Sequence, residues 1–141
     1  MKALISSGLL WLFLATTGFG RIGEDEKQIE ARYGKPGKDF GVQGNVHQVG
    51  YMSQGFMILI SFVNGISQRE SFANPDTSPL APEAVERILV LSATEGTKWQ
   101  EITAPAGDRS WTRSDNKVMA VFPTEAKFMV VQDVNFAQSN K

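Results

Sequence analysis

The sequence predicts an α+β fold with one antiparallel sheet and two helices on one face of that sheet. Two segments have the apolar spacing of helices, the other apolar residues fall in short runs typical of strands, and the links between successive strands are short. Short links favour antiparallel pairing, and helices separated from runs of strands favour the α+β class. The order of helix, three strands, helix and about four strands suggests a duplicated αβββ unit, although the residues themselves show no repeat.

The first helix is predicted by its end signals. Acidic residues fill its first turn, Ile29 and Tyr33 lie on one face, and Gly34 ends it ahead of Pro36. The second helix begins near Pro82, which suits a first helical turn. Its apolar face follows the i, i+3, i+4, i+7 spacing through Val85, Ile88, Leu89 and Ser92.

Strands are predicted where apolar residues run together. In the first half they are residues 46–51, 56–63 and 66–72, and Asn64-Gly65 predicts a two-residue type I′ turn between the last two. The glycine-rich residues 34–44 are predicted to be a loop. In the second half the strands are residues 97–102, 110–114, 117–122 and 127–136.

The first 20 residues are typical of a secretory signal peptide. Lys2 precedes an apolar run over residues 3–15, and Gly18 and Gly20 are the small residues expected before a cleavage site. The run is shorter than the roughly 20 apolar residues that cross a bilayer. We therefore expect cleavage after Gly20 and an exported protein, periplasmic or secreted and typical of a bacterial envelope. No integral membrane segment is expected in the mature chain.

Residues 21–141 are expected to form a single α+β domain, with sub-units 21–74 and 75–141 if the unit is duplicated. The net charge of −1, with both signs interspersed, gives no electrostatic signature of nucleic acid or anionic membrane binding. The chain has no cysteine, which excludes thiol nucleophiles, thiolate metal sites and disulfides. The fold must therefore be stabilised by burial, and no cofactor or metal is expected.

The segment Ile29-Glu30-Ala31-Arg32-Tyr33-Gly34-Lys35-Pro36 is similar to the helix followed by Gly-x-Pro that occurs in small exported α+β modules. Examples are the outer-membrane assembly lipoproteins and the β-lactamase inhibitory proteins. The resemblance implies helices laid on one face of an antiparallel sheet, and binding of other proteins in place of catalysis. The chain departs from both groups because it lacks the cysteines of a lipid anchor or a disulfide.

Catalytic residues are sparse. His47 is the single histidine. As a general base it would need a carboxylate to orient it and a nucleophile, and we expect it to be a strand histidine that faces solvent. The leading interpretation is therefore a protein that is not an enzyme. The alternative is a small ligand-binding protein or hydrolase-like enzyme in which Asp108, Trp111 and Arg113 share a cleft.

Methionines define the candidate binding surface. Strand alternation predicts one sheet side that carries Met57, Leu59, Met119, Val121, Met129 and Val131. The aromatic residues and their neighbours are predicted on the other side: Phe56, Ile58, Ile60, Phe62, Phe122, Phe128 and Val130. Because two helices cover only one side, the methionine side is predicted to meet a protein partner or a second copy, and otherwise forms a second core. Trp111 and Arg113 are further candidate binding residues.

Overall fold

The computed structural model describes residues 21–104, 107–123 and 126–136. Within these residues the fold is α+β, with two helices and one eight-stranded antiparallel sheet. The helices are α1 (Glu26–Tyr33) and α2 (Pro82–Ser92). The strands are β1 (Lys38–Gln43), β2 (Val46–Ser53), β3 (Phe56–Val63), β4 (Ile66–Ala73), β5 (Trp99–Thr103), β6 (Arg109–Arg113), β7 (Val118–Phe122) and β8 (Phe128–Asp133). The predicted signal peptide, residues 1–20, lies outside the described residues.

The strand order across the sheet is β1-β2-β3-β4-β8-β7-β6-β5. Each helix precedes four strands that pair in succession, and the last strands of the two halves, β4 and β8, pair antiparallel in the middle. β1 and β5 are the two edges of the sheet.

The prediction of a loop over residues 34–44 is wrong for residues 38–43, which form β1. This strand pairs with β2, and a register irregularity lies between Asp39 and Gly41. All of its residues are exposed, so no apolar alternation marks it in the sequence. An edge strand that is broken by a bulge and contains glycine resembles a loop when only composition is considered.

The predicted type I′ turn at Asn64-Gly65 is confirmed by backbone angles. The φ angles of Asn64 and Gly65 are 52° and 78°, and both belong to the left-handed region that this turn requires. Gln54 and Gly55, between β2 and β3, repeat this pattern with φ angles of 55° and 82°. Two tight turns therefore hold β2, β3 and β4 in a continuous meander.

The end of α1 and the first turn of α2 lie where the sequence predicts. Asp25 caps α1 in a capping box with Gln28, and Gly34 closes the helix with a φ of 87°. In α2, Pro82 occupies the first turn. The buried residues of α2 are those of the predicted apolar face: Val85, Ile88, Leu89 and Ser92.

Cross-strand pairing divides the sheet into two faces, because residues directly opposite each other point to the same side. We call the core face the side that contains the row Tyr51, Ile58, Phe72 and Met129. All four of these side chains are buried. The ring of Tyr33 from α1 lies 5.7 Å from the ring of Tyr51, and the indole Nε1 of Trp99 donates to the Leu89 carbonyl of α2 at 2.7 Å.

The outer face is the opposite side of the sheet and contains the next row, Met52, Met57, Ala73 and Phe128. Its three large side chains are 56%, 42% and 43% exposed in that order, with Ala73 half-buried. The neighbouring row on the same face is Leu59, Ser71, Val130 and Val121. Met119 joins this face through its pairing with Gln132.

The predicted face of Met129 and Val131 is wrong. Both lie on the core face, where they are 0% and 1% exposed, and Phe128 and Val130 take the outer positions. Alternation within one strand separates its side chains into two sets. The pairing register with the neighbouring strand then decides which set lies on the core face of the sheet. A slip of one residue exchanges them. The candidate binding surface therefore loses two of its predicted members.

Candidate functional site

The candidate site is a groove on the outer face, beside β1, β2 and β3. Its volume is about 470 Å³. We call it the apolar groove, and its lining residues are Gly37, Lys38, Phe40, Gly50, Tyr51, Met52, Met57, Ile58, Leu59, Ser71 and Ala73. Met57 and Leu59 are predicted site residues that the structure does bring together. Met52 and Phe40 belong to the same groove and were missed by sequence reasoning.

Phe40 enters the groove because the chain is irregular there. It lies inside the bulge of β1 between Asp39 and Gly41. A Cβ atom at Gly50 would lie 3.2 Å from Phe40 Cε2, so glycine at this position makes room for the ring. The Nζ atom of Lys38 lies 4.8 Å from the centroid of the same ring. The groove therefore has an aromatic wall with a cation at its rim.

The second half of the outer face is less open. Met119 and Val121 are half-buried, and the Met119 sulfur accepts a long contact from Gln132 Nε2 at 3.8 Å. Val130 lies between the two halves and is only 6% exposed. The exposed apolar side chains beside the groove are Phe40, Met52, Met57 and Phe128, and Ile102 on the edge strand β5 is also exposed on this face.

A second pocket, which we call the polar pocket, adjoins the groove on the outer face. Its volume is about 660 Å³, and Phe40 lines both cavities. The other lining residues of the polar pocket are Gly41, Gln43, Gly44, Asn45, Val46, Gln48, Ser61, Arg69 and Phe136. Apolar and polar recognition surfaces therefore lie side by side.

His47 differs from its prediction, because two carboxylates flank its ring. Nδ1 lies 2.7 Å from Glu26 Oε1 of α1, and Nε2 lies 2.9 Å from Asp39 Oδ1 of β1. These contacts raise the pKa of His47, with Glu26 the larger cause. The carboxylates occupy opposite ring nitrogens, so they do not converge on a common point. The arrangement joins α1, β1 and β2.

Trp111 and Arg113 lie on the same core-facing side of β6 but are not open to solvent. Trp111 is 4% exposed and Arg113 is 5% exposed. Arg113 Nη2 donates to Asp115 Oδ2 at 2.7 Å, and this bond lowers the pKa of Asp115. Asp108 is half-buried just before β6. The predicted cleft of Asp108, Trp111 and Arg113 is therefore replaced by a packed indole and an internal ion pair.

A separate pocket of about 510 Å³ lies beside α2. Trp111 is one of its lining residues, together with Trp99, Glu86 and Glu101, whereas Asp108 and Arg113 do not line it. The guanidinium of Arg109 lies 4.8 Å from the Trp111 ring and bonds Glu101 at 2.9 Å. Both glutamates of this pocket, Glu86 and Glu101, are thus close to Arg109.

Two further properties bear on the kind of site. In residues 21–104, 107–123 and 126–136, no three His, Cys, Asp or Glu side chains form a group that could hold a metal ion. Across the same ranges, neither helix has the length and apolar character required to cross a membrane.

Comparison with known proteins gives no family. No protein-family model matches the chain, and no curated protein matches it. Among solved structures, a cysteine-rich secretory protein from Staphylococcus aureus subsp. aureus Mu50 is similar at a TM-score of 0.46 and 10% sequence identity. The similar region covers 81% of this chain and 45% of that protein, so the chain spans less than half of that protein's length. The predicted resemblance of residues 29–36 to exported binding modules stays a prediction.

Proposed function

We propose that this chain is a non-catalytic, exported binding module that holds a protein partner on the outer face of its sheet. The observation that carries the proposal is the row of exposed apolar side chains at Met52, Met57 and Phe128, which crosses neighbouring strands beside the apolar groove. A continuous exposed apolar surface on a small domain is a mark of an interaction site. Methionine side chains adapt their shape to a partner at little cost.

A further part of the proposal is that both helices cover the core face and leave the outer face free. Tyr33 of α1 contacts Tyr51 and donates to Glu70 at 3.4 Å. Glu86 of α2 lies 3.8 Å from Arg109. Because Tyr51, Glu70 and Arg109 all belong to the core face by register, these contacts support one helical layer.

We also propose that the domain is a duplication, with the unit enlarged from the expected αβββ to one helix and four strands. The succession of α1 with β1 to β4, and α2 with β5 to β8, supports it. The antiparallel pairing of β4 with β8 fits two halves related by an approximate twofold axis. Such an arrangement builds one wide sheet face from two small units.

Export stays part of the proposal and rests on the signal-like residues 1–20. The alternative, a ligand site or hydrolase at Asp108, Trp111 and Arg113, has less support because the indole and the guanidinium are buried. A binding module requires no such cleft. Its working surface is a sheet face.

The test is capture of partners from the protein's own envelope extract with tagged residues 21–141. Wild type is compared with Met57→Glu, which places a charge in the apolar groove, and with the control Val90→Glu. Val90 is 71% exposed on α2, so the control introduces the same charge at an exposed apolar position away from the outer face. We expect the same partner with wild type and the control, and its loss with Met57→Glu. Equal capture by all three proteins contradicts the proposal.

A further inference from the structure

Arg69 gives the polar pocket its charge. It is the single charged side chain among the pocket's lining residues, which include no aspartate or glutamate. Its Nε atom is buried and has no hydrogen-bond partner among the described residues. A buried N–H without an acceptor is costly, and the cost is removed when an acceptor arrives. Within the part of the chain that the structure describes, the Nε–H group of Arg69 is therefore a donor without an acceptor.

An aromatic ring lies near the guanidinium of Arg69. Its central carbon lies 5.9 Å from the centroid of the Phe136 ring, which supports the group on one side. The N–H groups of a guanidinium form a fork that matches two carboxylate oxygens. This match makes a carboxylate a suitable partner for Arg69.

Neutral amide and hydroxyl groups complete the polar pocket. Gln48 Nε2 lies 3.3 Å from Ser61 Oγ, a long hydrogen bond that can be exchanged for a better acceptor. The Gln43 and Asn45 amides also line the pocket. A pocket with one cation and neutral hydrogen-bond donors is suited to a ligand group with a single negative charge.

We infer that the polar pocket binds a carboxylate of the protein partner, while the adjoining apolar groove holds an apolar side chain of the same segment. Phe40 lines both cavities, so the two groups are neighbours on the bound segment. The inference rests on the proposed function and adds the chemistry of the partner. The expected ligand is a segment in which an aliphatic or aromatic side chain stands next to a carboxylate.

The probes are N-acetyl-leucine, which has an apolar side chain beside a carboxylate, and N-acetyl-leucinamide, in which that carboxylate is an uncharged amide. Binding is followed by NMR on residues 21–141, at the methyl group of Met57 and at the Nε–H group of Arg69. Both probes are expected to shift the Met57 signal. The carboxylate probe alone is expected to shift the Arg69 signal, and it should bind about tenfold more tightly than the amide.

Two variants test the assignment to Arg69. Arg69→Gln is expected to abolish the preference for the carboxylate and to retain the Met57 shift with both probes. Gln48→Glu retains Arg69 and adds a negative charge to the pocket lining. This variant should therefore bind the carboxylate probe more weakly and leave the affinity for the amide probe unchanged. Arg87→Gln is the matched control, because Arg87 lies over Phe56 and bonds Gln54 outside the pocket.

Equal affinity of the two probes for wild type, or a carboxylate preference that survives Arg69→Gln, overturns the inference. Displacement of the carboxylate probe from Arg69 by an equal concentration of inorganic phosphate also overturns it, because the pocket then accepts anions in general. The failure of the proposed function has a different signature. In that case neither probe shifts the Met57 methyl group.

Discussion

The hydroxyl group of Tyr33 on α1 donates to Oε1 of Glu70 on β4 over 3.4 Å, and both side chains are buried. Burial raises the pKa of Glu70 well above its ordinary value, and this effect exceeds the opposing effect of the bond from Tyr33. Oε2 of Glu70 has no hydrogen-bond partner among the described residues. The core therefore contains a carboxyl group that retains its proton to unusually high pH.

Glu70→Gln is expected to stabilise the fold at neutral pH. Because the folded-state pKa is raised, the stability due to Glu70 is complete below the ordinary pKa of 4.5 and falls as pH rises towards the folded-state pKa. Glutamine has no proton to lose, so the variant lacks this decline and gains about 1–3 kcal/mol near pH 7. Urea unfolding of both proteins between the ordinary pKa of 4.5 and about pH 7 measures the difference in the free energy of unfolding. Glu95→Gln, at an exposed glutamate, is the control.

His47 is expected to titrate above the ordinary histidine value of 6.5, because Glu26 and Asp39 raise its pKa. The chain has one histidine, so a single NMR titration reports it without ambiguity. Glu26→Gln should lower the pKa more than Asp39→Asn, since the Glu26 contact is the larger cause. The stability due to protonated His47 is full below 6.5 and is lost as pH rises through the raised pKa. A pKa of His47 at or below 6.5 in wild type contradicts its contacts with Glu26 and Asp39.

Gly65→Val should destabilise the β3–β4 hairpin by about 1–3 kcal/mol, because valine at a positive φ is strained. A Cβ atom at Gly65 would meet nothing within 4 Å, so the loss reports backbone conformation and not crowding. Gly65→Asn is the matched control, since asparagine tolerates this conformation. The midpoints of urea unfolding provide the comparison. Equal midpoints for the two variants would contradict the turn geometry.

Met57→Glu and Val131→Glu should have different effects on stability. Met57 is 42% exposed on the outer face, so its variant should unfold within about 0.5 kcal/mol of wild type. Val131 is 1% exposed and pairs with Glu70, so a carboxylate there is buried without a partner and should abolish the fold. Thermal unfolding followed by circular dichroism distinguishes the variants. Loss of the folded state in both would make the outer face a second core.

Local signals predicted most of the fold. The Gly34 stop of α1, the Asn64-Gly65 turn and the apolar face of α2 each depend on residues that are close in sequence, and each prediction is confirmed. β1 was missed because its exposed side chains and its bulge hide the period of a strand. The order of the strands in the sheet could not be predicted, because no residues close in sequence indicate that β4 pairs with β8.

Site residues were predicted correctly only where alternation within one strand was sufficient to place them. Alternation correctly placed Met57 with Leu59, and Met119 with Val121, but the register of β8 decided the face of Met129 and Val131. The carboxylates beside His47 lie 21 and 8 residues away in the chain, so composition near the histidine does not reveal them.

The pairing of β4 with β8 also shapes how the chain folds. All other neighbouring strands in the described sheet are consecutive in the chain, whereas Glu70 and Val131 are about 60 residues apart. Hairpins form within microseconds, but closing a long loop has a larger entropic cost. As the chain folds, the edge of β4 stays unpaired until β8 reaches it. The rate of folding is therefore expected to depend on this single long-range pairing.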